Sequence, residues 1–295
     1  MSFKFDRITY EDQFQILEKT GKWLSDIGVE TGKTRFFEIL KLNHEIVKSR
    51  KNNQLEELIE KHGNLKLWFA LTEAFSFIQI YEAFKAQKSH IQPRSKLKKM
   101  LEGPYHSWDE DVNIGNIDPR NTLFELEAAT TFMQVGAKIN GFDDIDFVFK
   151  ETEFNVQCKR LHSAKKVKDN ITEAASQFYK KMKLKPNLKG IICLSLDKLT
   201  GKEEMILHIN SANEIETESA ALFYPFFTQY GSVWQGFVNR NILAVLLFVH
   251  VVAIIKETPC DSLTTCRNIA FDAIPHRNIY QIADYNLIYE LGKKL

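Results

Sequence analysis

The sequence predicts a chain of the α/β class, α+β in overall layout, with an all-α N-terminal region followed by a mixed β-sheet core flanked by helices. Three observations predict it. Apolar residues recur close to a helical period through residues 10–100. A stretch dense in glycine, proline and acidic residues breaks the pattern at Gly103–Asn121. Beyond it, helical and alternating segments follow one another, as in a sheet covered by helices.

The first part reads as about four helices. Phe14, Leu17, Trp23, Leu24 and Ile27 share one helical face, and Phe36, Ile39, Leu40, Leu42, Ile46 and Val47 share another. Leu55, Leu58 and Ile59 open a third, and Leu67–Phe84 is a strongly apolar fourth. We therefore expect a helical N-terminal domain over 1–110 and a second domain over 120–295, with the loop chemistry of Gly103, Pro104, Gly115 and Pro119 between them.

In the second part, Thr122–Val135 reads as a helix, with Asp118 or Asn121 as its cap and Gly136 at its end. Ile145–Phe149 and Glu153–Arg160 read as strands, Asn170–Met182 as a helix and Gly190–Leu196 as a strand. The apolar run Ile242–Ile255, interrupted by His250, reads as one long or two short buried strands. It is shorter than the roughly 20 residues that cross a bilayer. The final 40 residues carry no strong period.

Composition narrows the class without naming a partner. Hydrophobic residues make up 44% and charged residues 26%, which is ordinary for a folded globular chain, and the net charge is +1. The charge is uneven, however: between Lys150 and Lys189 eleven Lys/Arg oppose four acids, and Lys85, Lys88, Arg94, Lys96, Lys98 and Lys99 form a second basic run. Such stretches attract polyanions even in a near-neutral chain. Cys158, Cys193, Cys260 and Cys266 are scattered, which argues against a structural zinc site. No cationic start precedes an apolar stretch, so we expect no secretory signal, no membrane association and a cytoplasmic protein with reduced thiols.

One motif misleads. Gly28-Val29-Glu30-Thr31-Gly32-Lys33-Thr34 ends like a phosphate-binding loop, but it has three residues between its glycines where four are needed. It also follows a helical pattern instead of a strand. A plain helix–loop–helix turn is expected.

The informative chemistry lies between Asn121 and Lys181. On the first strand, Asp146 and Val148 face away from Ile145, Phe147 and Phe149. On the second, Asn155, Gln157 and Lys159 face away from Phe154, Val156 and Cys158. A hairpin joining the strands would bring Asp146, Gln157 and Lys159 together. A carboxylate there suits a divalent cation, with the amide oxygen of Gln157 and the backbone carbonyl of Cys158 as further oxygen ligands. Lys159 can orient an attacking water or neutralise charge growing on a phosphate. A helix carboxylate, Glu125 or Glu127, can complete the oxygen shell, and Asp144 competes with Asp146 for its role.

The runs Phe-Glu-Leu-Glu-Ala-Ala, Asp-Asp-Ile-Asp-Phe and Val-Gln-Cys-Lys-Arg, in this order, resemble the PD-(D/E)XK, or restriction-endonuclease-like, nuclease superfamily over about residues 120–200. The resemblance implies a restriction-endonuclease-like sheet and catalytic roles for Asp146, Gln157 and Lys159, with a helix glutamate at Glu125 or Glu127. It places Gln177 near the substrate. Gln157 departs from the commoner Glu or Asp, which removes one negative charge from the site.

The expected activity is magnesium-dependent hydrolysis of phosphodiester bonds in nucleic acid, DNA before RNA, with manganese as a substitute metal, in restriction, repair or defence. Arg160, Lys165, Lys166 and Lys168 are the expected phosphate-contacting surface. The alternative is a catalytically inactive module that binds nucleic acid or scaffolds a complex. The N-terminal helices have three candidate roles, among which the sequence does not choose: a homodimer or protein contact, a sensor-ligand site, or contact with the nucleic acid.

Overall fold

The computed structural model describes residues 6–87, 93–142, 144–200, 206–211, 214–237, 241–255, 262–273 and 282–294. Lys88 of the second basic run and Cys260 lie outside these residues.

Five helices follow the N-terminal strand β1 (Asp6–Thr9): α1 (Tyr10–Asp26), α2 (Arg35–Lys51), α3 (Leu55–His62), α4 (Asn64–Phe84) and α5 (Arg94–Lys99). The side chain of Thr9 caps α1 by accepting from the Asp12 amide, which satisfies one of the free N–H groups of the first turn. Leu17, Leu24, Phe36, Ile39, Phe77 and Ile80 meet in one buried core, as their helical spacing predicts. The Gly28–Thr34 segment is the turn between α1 and α2. Gly28 sits at φ +80°, and the Thr34 hydroxyl donates to the Thr31 carbonyl while capping α2, so this hydroxyl serves the turn.

The remaining strands are β2 (Lys138–Gly141), β3 (Ile145–Phe149), β4 (Thr152–Arg160), β5 (Lys189–Ser195), β6 (Ile206–Ile209), β7 (Ile242–Ile255) and β8 (Ser262–Ala273). They form one mixed sheet in the order β1-β8-β7-β5-β4-β3-β2, with β6 also pairing β7. β2, β3 and β4 form an antiparallel meander, whereas β4, β5 and β7 run parallel to one another. The apolar run at 242–255 is thus a single 14-residue strand, buried on both faces over 242–253, which explains its lack of alternation. Among the described residues no helix is long and apolar enough to cross a membrane.

Helices α6 (Asp118–Gln134), α7 (Val167–Met182), α8 (Glu214–Gln235) and α9 (Ile282–Lys294) complete the layers. On one face, α6 and α9 pack against Ile145, Phe147, Phe154, Val156, Cys193 and Phe248. The rings of Phe132, Phe147 and Phe154 stack there at 4.6 and 4.9 Å. On the other face, α7 and α8 cover Ile192, Leu194, Val245 and Leu247 with Ile171, Phe178, Phe223 and Trp234. Gly190 of β5 makes this second layer possible: a Cβ there would stand 2.9 Å from the buried ring of Phe178.

The helical block is continuous with the sheet. β1 is an edge strand against β8, and α4 packs on α6, β7 and β8. Neither Asp118 nor Asn121 caps α6: the helix starts one turn earlier than expected, with Pro119 in its first turn and no side-chain cap. Strands β2 and β6, helix α8 with Pro225 inside it, and the C-terminal pair β8 and α9 are elements that the sequence pattern did not outline.

Candidate active site

Asp146 and Asn155 are direct partners across β3 and β4, so their side chains share a face. Alternation carries Gln157 and Lys159 onto the same face, beneath α7. The four side chains form a row. Asn155, fully buried, donates from Nδ2 to Asp146 Oδ1 at 2.7 Å and accepts at Oδ1 from Gln157 Nε2, also at 2.7 Å. Gln157 Nε2 also approaches Asp144 Oδ2 at 3.5 Å. Gln157 thus turns its nitrogen to Asn155 and Asp144, and its Oε1 is the one oxygen the side chain could lend a cation. Asp144 thus joins the group beside Asp146, and Asn155, which the sequence reading passed over, orients both carboxylate and amide. Its place on the same alternating face as Gln157 and Lys159 was the signal that could have singled it out.

Helix α7 lays a complementary row over the strand. Glu173, Gln177 and Lys181 follow one another at helical spacing on one side of the helix. Lys159 Nζ is 2.9 Å from Glu173 Oε1, and Gln177 Nε2 donates to the same oxygen at 3.0 Å. At the far end, Lys181 Nζ lies 2.7 Å from Asp144 Oδ2 and 3.5 Å from Asp146 Oδ2. Gln177 therefore sits beside the row, where it holds the partner of Lys159.

The two helix glutamates do not complete this group. Both lie on α6, against the opposite face of the sheet. Glu127 is buried and its Oε1 lies 3.0 Å from Nε2 of His250, whose Nδ1 is 3.0 Å from Asp197 Oδ2. Burial alone would lower the His250 pKa. The two carboxylates outweigh it and hold the imidazolium up at about 10. Glu125 reaches the rim of the groove that also holds Lys159, but its carboxylate is paired with Lys96. Glu127 leaves the expected metal set because it is buried on the α6 side of the sheet, and Glu125 because its carboxylate is paired with Lys96 in a groove that neither Asp144 nor Asp146 lines. Helix α6 and the row Asp146, Asn155, Gln157, Lys159 are on different sides of one sheet.

Arg160 is likewise not part of an exposed basic surface. Its even position turns it to the α6 face, where it grips Glu110 through two nitrogens at 3.1 and 3.2 Å. Glu110, whose side chain has no exposed surface, also contacts Arg120 and Lys198. Burial would raise the Glu110 pKa, but Arg160 and its neighbours pull it below the usual carboxylate range. Lys165, Lys166 and Lys168 are exposed, in the turn before α7 and its first turn. Lys166 lines an open groove of about 550 Å³ with Lys159, Asn121, His162 and Asn170. The Cys158 side chain faces away from the row, toward Cys193, and burial pushes its thiol pKa up.

Magnesium and manganese take hard oxygen donors. Asp144, Asp146 and the Gln157 amide oxygen provide these, and backbone carbonyls of the strand can add to them. No third acid joins: among the described residues no three His, Cys, Asp or Glu side chains gather as a metal cluster. The residues fit a weakly held divalent ion, with two charged ligands and neutral oxygens for the rest.

No model of a known protein family matches the chain, and no curated protein matches it significantly.

Proposed function

We propose that the chain is a restriction-endonuclease-like, PD-(D/E)XK-type nuclease that hydrolyses phosphodiester bonds in nucleic acid, with DNA as the first substrate to test and magnesium or manganese as cofactor. The observation that carries the reading is the shared row Asp146, Asn155, Gln157 and Lys159, with Asp144 beside it, on one face of adjacent strands. It is supported by the order α6-β2-β3-β4-α7-β5 around the row, in agreement with the motif resemblance. A divalent ion held by Asp144, Asp146 and Gln157 would acidify a water and shield the phosphate charge.

The chain's own residues supply the rest. Asn155 fixes the Asp146 carboxylate by one hydrogen bond and accepts another from the Gln157 amide. Lys159, parked on Glu173, has an ammonium that can swing to a phosphate oxygen and neutralise charge in the transition state. Lys165, Lys166 and Lys168 offer exposed charge on the flank for backbone phosphates. The test is incubation of the protein with plasmid, linear duplex, single-stranded DNA and RNA, with and without magnesium or manganese. Metal-dependent cleavage of any of them supports the reading, and chelator-resistant cleavage or none contradicts it.

One observation favours a second reading, an inactive module that binds nucleic acid or scaffolds a complex. Lys181 already offsets half of the charge of the two carboxylates, and Gln157 contributes none. Intact nucleic-acid binding without cleavage in any metal would support that reading.

A further inference from the structure

We infer that the ammonium of Lys181 and a divalent cation are alternative occupants of the Asp144–Asp146 pair, so that α7 carries a built-in brake on metal loading. The inference rests on the metal-dependent reading above and adds a regulator to that same site.

The geometry is that of an internal counter-ion. Lys181 Nζ stands 2.7 Å from Asp144 Oδ2 and 3.5 Å from Asp146 Oδ2, which places it between one oxygen of each acid. The other oxygen of Asp146, Oδ1, is taken by Asn155. An ion that bridges the two acids through Asp144 Oδ2 and Asp146 Oδ2 would therefore meet the Lys181 ammonium.

Charge sets the direction of the competition. Two carboxylates bring two negative charges, and the neutral Gln157 brings none. The ammonium cancels half of the charge that would attract a divalent ion. An ammonium and a divalent ion at the same oxygens repel each other, so one must leave. Lys181 is able to leave. It lies in the last turn of α7, its side chain is 34% exposed, and four methylenes let the ammonium swing into solvent without moving the helix. The rest of the α7 row stays in place, because Glu173 is bound to Lys159 and Gln177 at the other end. Both acids are also part-exposed, so the ion has a direct approach from solvent.

The test is calorimetric titration of the full chain with Mn2+, with free Mn2+ followed by its paramagnetic resonance signal, in the absence of nucleic acid. Wild type, Lys181→Gln, Lys181→Arg and Asp144→Asn/Asp146→Asn are compared after circular dichroism has confirmed their fold. Lys181→Gln removes the charge but keeps a polar chain of similar reach, and it should bind Mn2+ about tenfold more tightly than wild type, the size of effect expected for one unit charge at a part-exposed site. Lys181→Arg keeps the cation and should stay within about twofold of wild type. The double asparagine variant should lose binding. Equal or weaker Mn2+ binding by Lys181→Gln, with binding still lost in the asparagine variant, overturns the brake and leaves the metal reading standing. Binding unaffected by the asparagine substitutions overturns the metal reading, and the brake with it.

Discussion

The carboxylate of Glu127 and the imidazole of His250 meet at 3.0 Å inside the core, on the face of the sheet turned away from Asp146. His250 meets Asp197 on its other nitrogen, also at 3.0 Å. Carboxylates only accept, so both ring nitrogens donate and the ring is an imidazolium. Its pKa is raised from the ordinary 6.5 to about 10. The stability this supplies is fully present below about pH 6.5 and is lost as pH rises toward 10. Glu127→Gln removes one of the two carboxylates. The His250 titration, followed by NMR, should therefore move to lower pH, and the alkaline fall of the melting temperature should move with it. A titration unchanged by the substitution would show that Glu127 does not hold the charge.

Gly190→Ala should destabilise the fold by about 1–3 kcal/mol in urea unfolding, the usual cost of overpacking a filled core. The new methyl would stand 2.9 Å from the ring of Phe178, which α7 presses onto β5. Wild-type stability for this variant would mean that α7 can lift from the sheet at no cost.

Gln157→Glu should tighten divalent-ion binding by supplying a third charged ligand. It should also lower the melting temperature of the metal-free protein. Asn155 has one oxygen and one nitrogen to offer, and they now serve Gln157 and Asp146 respectively. With carboxylates on both sides, one faces the Asn155 oxygen, and repulsion replaces a hydrogen bond. Added Mn2+ should restore the loss. Tighter binding with no cost to the metal-free protein would contradict the Asn155 relay.

The meander and the row on it were legible because the signal is local. Alternation over Ile145–Phe149 and Phe154–Arg160 fixes which side chains share a face, and register needs only the short connection between the strands. The opposite placement of α6 was not legible, because which side of a sheet a helix covers is set by the whole chain's packing. Glu127 reads as a ligand in the sequence for want of that fact, and Glu125 for want of its ion pair with Lys96, 29 residues away. Arg160 was misread because its partner, Glu110, is 50 residues away. The polar loop around Glu110 gave no hint that Arg120, Arg160 and Lys198 enclose that carboxylate. Helix α8 escaped notice because Pro225 and dense aromatics on several sides obscure its period.

The basic residues should separate into two classes. Replacing Lys165, Lys166 and Lys168 together with alanine should weaken nucleic-acid binding and flatten its salt dependence by about one unit of slope per lysine, with stability unchanged. Arg160→Ala should act on the fold instead. A fully orphaned buried charge costs roughly 3–5 kcal/mol, and Arg120 and Lys198 remain beside Glu110, so about 2 kcal/mol is expected. Salt-dependent binding loss from Arg160→Ala, with normal stability, would return that residue to the surface.

The central claim is that the strand face carrying Asp146, Gln157 and Lys159 performs the chemistry, and single-turnover cleavage by Lys159→Ala beside wild type, in magnesium, tests it most directly. The lysine sits within the row, bound to Glu173 at 2.9 Å, so its loss should appear in the rate and not in affinity. We predict cleavage reduced by at least about a hundredfold, in the range seen when a group that stabilises transition-state charge is removed. Nucleic-acid affinity should stay within about threefold of wild type, because one phosphate contact among several contributes little. Equal cleavage rates in the two proteins would contradict the account.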